Sequence, residues 1–405
     1  MNIPQRLKDI TSDLRSKDWM QDLLAKGEVC IVGGTVRDAF MDRNIKDIDC
    51  IVEGLTMSDI ISILRIHGRV DQVGEHFAVI KFRPHGHVGE DFDIAIPRED
   101  TKIGDGHQGF SVNTQNVSLE DDLLRRDFTI NSIAIHIPTD EIIDPFYGLG
   151  DLRKGIIRAT DPGAFIEDPL RILRGIQFAC RFGFKIEDET MSLMKKHAED
   201  VQTITGERIF DELMKILNKD GDTQMAIDLL HETDVDWALF DKKMLHYEKG
   251  FDHLDEISFF YLLGILGDVD SADFVKKRLK GDNNLVLNVR MLDNMFKMIP
   301  LNTEEEDFKV MLFKVFNKAP DVMEAIILPD EVQDIRLQMR LQQIPMNWDD
   351  IQIDGDDIKD IGQLGEGPEI GLIKDRILRD ALMNRFNWKN RTDSLEYLEK
   401  LIYEN

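Results

Sequence analysis

Cysteine is scarce in this 405-residue chain, and the few present are scattered. Cys30, Cys50 and Cys180 stand singly in apolar surroundings, an odd count without the Cys-x-x-Cys spacing of a zinc site. That excludes a disulfide framework and fits a reducing compartment, so a cytoplasmic protein is expected. Long apolar runs are missing too: none reaches the ~18 residues that span a bilayer. The first residues lack the basic-then-apolar order of a secretory signal. There are no internal repeats and no low-complexity segment. Positive charge is also in deficit, with 50 Lys and Arg against 77 Asp and Glu, a net charge of −27. A non-specific polyanion binder carries the opposite field, so any nucleic-acid partner must be gripped by local basic patches.

What is present is an ordinary globular composition, 42% apolar and 31% charged, over a length that suggests two to four domains. Up to about residue 150, strand-like and helix-like segments alternate. Val29–Val32, Ile48–Val52, Ala78–Phe82, Phe92–Ile96, Ile130–Ile137 and Glu141–Ile143 read as strands. Val36–Phe40 and Ser58–His67 read as helical, with Ser58 as cap. Arg98–Asn116, polar and containing Gly104, Gly106 and Gly109, reads as a loop. From Asp168 onward the periodicity is helical, without convincing strands. Weaker breaks fall at Leu279–Asn284 and Asn302–Asp307. The expected fold is α+β: a mixed α/β head followed by an elongated all-α remainder.

Two strings carry chemistry in the head. Gly33-Gly34-Thr35-Val36-Arg37-Asp38 sits between a strand and a helix, where glycines let backbone approach a ligand closely. Asp47 and Asp49, two apart at a strand start, present both carboxylates to one face. Magnesium takes such carboxylates together with substrate phosphate oxygens.

A third string lies just beyond the head. In Glu167-Asp168-Pro169-Leu170-Arg171-Ile172-Leu173-Arg174, Asp168 can cap a helix that Pro169 begins. Yet Asp168, Arg171 and Arg174 recur every three residues and so share one helix face. A carboxylate accepts from an exocyclic amino group while a guanidinium donates to a ring nitrogen or carbonyl. Cytosine and adenine both offer that amino group; uracil and guanine place a carbonyl there. One Asp/Arg pair could therefore accept C and A, and would reject U and G by leaving buried polar groups unpaired.

These strings together resemble the signature of the DNA polymerase β-like nucleotidyltransferases, in particular the class II tRNA nucleotidyltransferases and bacterial poly(A) polymerases. The resemblance implies a third catalytic carboxylate, Asp93, with Asp91 on the same strand face as its rival. It implies that Arg125-Arg126-Asp127-Phe128-Thr129-Ile130-Asn131 supports the nucleotide site, with Arg126 on the triphosphate and Asn131 ordering the pocket. Gly33, Gly34, Arg37 and Arg174 join the nucleotide-binding set, and Asp168 and Arg171 become a protein template for the base. Where relatives often carry another basic residue, this chain has Gln177, and Arg181 is a possible substitute. Asp144 and Gly148 fall at the hinge between head and neck.

The implied layout is a head at 1–152, a neck at 153–220, a body at 221–300 and a tRNA-binding tail at 301–405. The strings Ile353–Ile358 and Gly367–Gly371 look like the tail of CCA-adding enzymes. Some relatives carry a metal-dependent phosphohydrolase marked by His-Asp; Gly264-Ile265 stands at that point here, so that activity is not expected. Basic residues such as Lys276, Lys277, Arg278 and Lys280 are candidates for the acceptor stem. The expected activity is addition of the 3′-terminal CCA of tRNA from CTP and ATP with two magnesium ions. A poly(A) polymerase, a CC-only or A-only enzyme, and a catalytically dead RNA-binding chaperone are the alternatives.

Overall fold

Alternate residues of a strand face opposite ways, and this alternation gives the central sheet one sealed and one open face. The computed structural model of the protein describes residues 3–45, 47–72, 79–86, 91–102, 110–219, 221–245, 254–298, 348–365 and 367–403, with residues 310, 313 and 345. They fall into two compact units, Met1–Lys243 and Met244–Asn405. The first contains strands β1 (Glu28–Val32), β2 (Ile48–Glu53), β3 (Gly68–Gln72), β4 (Val79–Pro84), β5 (Phe92–Ala95), β6 (Glu99–Lys102), β7 (Phe110–Asn113), β8 (Ala134–His136) and β9 (Glu141–Ile143). A seven-stranded sheet has the order β3-β4-β5-β2-β1-β8-β9. Within it β2 and β5 run parallel and the other neighbours antiparallel.

Register sorts the side chains. Cys30 pairs with Ile51, Ile51 with Ala95, and Asp49 with Asp93, which places these residues on one face. The opposite face carries Val29, Ile31, Val52, Ile80, Phe82 and Ile94, all buried. There Trp19, from helix α2 (Asp18–Leu24) just after α1 (Gln5–Arg15), sits with its ring 5.1 Å from both Phe82 and Phe92. Helix α3 (Gly34–Phe40) follows β1, and α4 (Met57–His67) packs beside α2. Leu119 and Leu123 of α5 (Leu119–Leu124) cover only the Cys30, Val32, Ile51 and Ala134 part of the other face. The rest of that face, with Asp49 and Asp93, stays open.

After the sheet come α6 (Gly148–Lys154), α7 (Pro162–Glu167), α8 (Leu170–Phe182), α9 (Asp188–Lys196), α10 (Gly206–Leu217), α11 (Thr223–Glu232) and α12 (Val235–Phe240). Helix α8 packs against α10 and α11, and the expected neck at 153–220 therefore lies within the first unit. In the second unit the helix Glu256–Leu266 is almost wholly buried, and Gly264 lets the backbone pack directly on Ser271. The tail strings act locally as helix starts: Asp354 caps Gly355–Gly362, and Pro368 opens Pro368–Leu382.

Several sequence-based expectations need correction. The cap of α4 is Thr56, not Ser58, because Thr56 and Asp59 form a reciprocal capping box. Only Ala134–His136 of the expected Ile130–Ile137 strand is extended. Upstream, Thr129–Asn131 is a 3₁₀ turn, held by the Thr129 hydroxyl donating to Asp151 at 2.8 Å. The ends of the expected loop Arg98–Asn116 pair as the antiparallel ribbon β6–β7, Glu99 opposite Asn113. Beyond Asp168 there is one short strand, β11 (Lys185–Ile186), parallel to β10 (Ile156–Ile157). The left-handed turn at Gly183 carries the chain back toward β10, and Lys185 N donates to Gly155 O. The break at 302–307 lies outside the described residues; the break at Leu279–Asn284 separates Phe274–Leu279 from Asn283–Met298. Among the described residues no helix is long and apolar enough to cross a membrane.

Trp19→Ala should open a cavity under the sealed face and cost about 3–5 kcal/mol. Its check is the first urea transition, with a lowered midpoint expected and an unchanged midpoint contradicting this packing.

Candidate active site

Strand β1 ends at Gly33, whose φ of +68° is a left-handed conformation that only glycine adopts at ease. A Cβ there would lie 2.6 Å from Arg126 Nη1, so this glycine also makes room for a guanidinium. One residue into α3, the buried Thr35 hydroxyl donates to Asp47 O at 2.9 Å and accepts from Asp49 N at 3.3 Å. Thr35 thus locks the backbone of the Asp-x-Asp segment to the glycine turn.

Asp47, Asp49 and Asp93 line one cavity of about 780 Å³ on the open face of the sheet. Burial pushes the Asp49 carboxyl up to about 6; Arg126 opposes this, while Asp93 and Asp47 add to it. Asp93 is bridged by Lys81 Nζ at 2.8 Å. Asp91, the rival third carboxylate, is paired with Arg83 and is not among the cavity-lining residues. Among the described residues no group of three or more His, Cys, Asp or Glu side chains is gathered closely enough to hold a metal. The oxygen-only donors nevertheless suit magnesium, which keeps waters and completes its shell with substrate phosphates.

The arginines of the cavity are fastened by buried carboxylates. Arg37 Nη1 donates to Asn131 Oδ1 at 2.6 Å, while its Nε bonds Asp38 at 2.8 Å. Asn131 in turn donates to Asp127 Oδ1 at 2.9 Å, and Asp127 Oδ2 accepts from Arg174 Nε at 2.7 Å. Arg126 is held through Nε and Nη2 by Asp122, itself only 1% exposed. Its Nη1 is left beside the Gly33 turn, 3.5 Å from Asn131 O. Burial alone would raise the Asp122 carboxyl, but Arg126 and Arg125 outweigh it and keep it below the usual range.

The neck supplies the far wall. Asp168, Arg171 and Arg174 all line the same cavity, as their three-residue spacing requires. Pro169, not Asp168, stands at the N-cap of α8; Asp168, one residue earlier, accepts from Leu170 N through Oδ1 at 3.1 Å, and its Oδ2 stands 3.8 Å from Arg208. Arg171 donates through Nη1 to Ala164 O at 2.7 Å and through Nη2 to Arg125 O at 2.6 Å. Its guanidinium is therefore held rigidly by two carbonyls. Phe178 and Phe182 stack with their rings 5.6 Å apart, the former buried, and carry Arg37 above both. The hydrogen-bonding pattern assigns the Gln177 amide with its oxygen toward Arg181, an orientation in which it would accept from Nε at 3.2 Å and Nη1 at 2.8 Å. Asp144 accepts from Gly148 N at 2.7 Å, and Gly148 packs against the Thr129 carbonyl.

Sequence reasoning passed over Asp122 and Asp127, the carboxylates that fix the arginines. The i,i+4 spacing of Asp122 and Arg126 was a usable signal; nothing local marked Asp127.

Residues 29–158 match the family model of the poly A polymerase head domain, and residues 183–240 match the model described as "Probable RNA and SrmB- binding site of polymerase A". The sheet-bearing segment is thus similar to poly A polymerase head domains, and the helices after it to that family's RNA-binding segment. The fold of the chain over nearly the full length is that of CCA-adding enzymes. The Thermotoga maritima CCA-adding enzyme complexed with tRNA is 23% identical, with a TM-score of 0.64 over 97% of this chain and 95% of that one. The Bacillus stearothermophilus CCA-adding enzyme in complex with CTP is 21% identical, with a TM-score of 0.60 over 95% and 98%. A CCA-adding enzyme complexed with ATP is 24% identical, with a TM-score of 0.64 over 98% and 94%.

Asp127 yields a pH prediction. Burial raises its carboxyl, but the Arg174 charge and the bonds from Asn131 and Arg174 overcome this and depress it. Its stabilisation is thus present above the unfolded value of ~3.9 and is lost as pH falls through the lower folded value. Asp127→Asn should cost about 1–3 kcal/mol at neutral pH. In urea midpoints taken across pH, the gap to wild type should close below about pH 4; parallel curves would contradict the pairing.

Proposed function

We propose that this protein is a template-independent RNA nucleotidyltransferase that rebuilds the 3′-terminal CCA of tRNA from CTP and ATP. The observation that carries the reading is one cavity holding both Asp47, Asp49 and Asp93 on the sheet and Asp168 with Arg171 on the neck helix. Reaction chemistry and base choice then face a single bound nucleotide. The CCA-adding fold and the RNA-binding family model over residues 183–240 support the same reading.

In this mechanism Asp47 and Asp49 would hold two magnesium ions, and Asp93 would contribute a carboxylate once released from Lys81. Bound there, the ions supply activation of the tRNA 3′-hydroxyl and neutralisation of the leaving pyrophosphate. Arg126, projecting Nη1 beside Gly33, binds the triphosphate, and Arg37 adds positive charge where it accumulates. Gly33 and Gly34 admit the phosphates close to backbone. Asn131 keeps Arg37 in place. The 3′-hydroxyl gives up its proton to solvent as its oxygen attacks the α-phosphorus, the bond to the bridging oxygen breaks, and pyrophosphate leaves. Asp168 accepts from N4 of cytosine or N6 of adenine while Arg171 donates to the adjoining ring position. Arg171 is fixed by two carbonyls, so it cannot swing to suit uracil or guanine. Arg174 contacts phosphate or sugar with the donors Asp127 leaves it. In this reading the head spans 1–152, the neck 153–220, the body 221–300 and a tRNA-binding tail 301–405, in a cytoplasmic enzyme.

The test offers each nucleotide singly, and all four together, to tRNAs ending at the discriminator base, at C and at CC. Addition that stops at CCA is expected; long A tails on unrelated RNA would identify a poly(A) polymerase instead. Asp49→Ala should abolish transfer to every acceptor. Asp168→Ala should retain partial activity and admit UTP or GTP; full C and A selectivity in that variant would reduce Asp168 to a residue at the helix start.

A further inference from the structure

A second cavity, of about 440 Å³, shares Gly34, Arg37, Asp47, Asp49, Arg181 and Lys219 with the first but has a different outer wall. It lacks Asp168, Arg171 and Arg126. In their place it has Thr35, Asp38, Arg43, Asn44 and Ile45, so that Arg181 and Lys219 stand where the two cavities meet. The wall is preformed: Arg6 from α1 donates to Arg43 O at 2.8 Å and to Asn44 Oδ1 at 3.1 Å, and Arg43 N bonds Asp38 O at 2.8 Å.

Its charge is unbalanced. Arg37 is paired with Asp38, whereas Arg43, Arg181 and Lys219 make no ion pair with a carboxylate among the described residues. Arg43 and Arg181 lie 5.1 and 5.0 Å from the centre of the Phe182 ring. Burial first, then repulsion from Arg37 and Arg43, pulls the Arg181 guanidinium down to about 10. Lys219 is lowered by burial and by Arg181, Lys215 and Arg37. Cations gathered at such a cost are relieved by an anion. The incoming triphosphate is served by the other cavity, where the base-facing pair and Arg126 lie. The remaining anion that must approach Asp47 and Asp49 belongs to the acceptor chain.

We propose that Arg43, Arg181 and Lys219 bind the phosphodiester joining the last two nucleotides of the acceptor RNA, setting its terminal ribose against Asp47 and Asp49. This assignment rests on the nucleotidyl-transfer reading. A phosphate contact carries no sequence information, so the same pocket can serve acceptors ending in any of the three stages.

The experiment uses the full chain and tRNA ending in CC, with that terminal linkage either natural or a neutral methylphosphonate, and ATP as substrate. Wild type should show an acceptor KM raised roughly tenfold by the neutral linkage, with the ATP KM changed less than about twofold. Arg43→Gln should raise the natural acceptor's KM to a similar extent, show little further rise with the neutral linkage, and be partly rescued by Arg43→Lys. An acceptor KM indifferent to the neutral linkage in wild type overturns the proposal whatever the variants do. So does a rise confined to the ATP KM, which would assign the pocket to the triphosphate. Failure of wild type to extend any RNA would remove the functional reading itself, a result distinguishable from either of these.

Discussion

The buried carboxylate of Asp127 ties the two halves of the site together. Through Asn131 it reaches Arg37 at the glycine turn, and through its other oxygen it grips Arg174 on α8. A chain of polar groups thus crosses from the sheet to the neck helix, each member satisfied by the next. Such networks are strong when complete and costly when broken, because the low local dielectric magnifies both cases. With Asp38, which also bonds Arg37, it sets Arg37 and Arg174 relative to Asp47, Asp49 and Asp93.

Asp122 repeats the device for Arg125 and Arg126. Together these pairs explain how a chain with a net charge of −27 maintains a cation-lined cavity. Acidic residues outside repel a polyanion at long range, while inside they hold guanidiniums in place without cancelling all their donors. An arginine still has five N–H donors to distribute, so one fastened at two of them is rigid and still able to bind phosphate. Salt bridges of this sort contribute little net stability; their value here is positional.

Much of this was legible in the sequence because short-range pattern dictates it. The glycine turn, the Asp47/Asp49 alternation and the three-residue spacing of Asp168, Arg171 and Arg174 each follow from local backbone geometry, and the structure puts them around one cavity. The resemblance named a third carboxylate, and the structure places Asp93 in that cavity while Asp91 bonds Arg83. What stayed hidden depends on contacts distant in the chain. Asp127 looks like any turn residue until α8, 47 residues away, brings Arg174 to it. The ribbon β6–β7 was read as loop because β6 is wholly polar and Gly104, Gly106 and Gly109 dominate the stretch between its strands. The 3₁₀ turn at Thr129–Asn131 replaced a strand because Asp151, 22 residues on, captures the Thr129 hydroxyl.

The claim that buried carboxylates pre-position the phosphate-binding arginines is tested most directly by nucleotide affinity in Asp127→Asn. Titration calorimetry at neutral pH, with calcium in place of magnesium to prevent turnover, would compare this variant with wild type. Loss of affinity by about tenfold for CTP and ATP alike is predicted, since the arginines serve the shared phosphates and not the base. Wild-type affinity for both nucleotides in the folded variant would contradict the account.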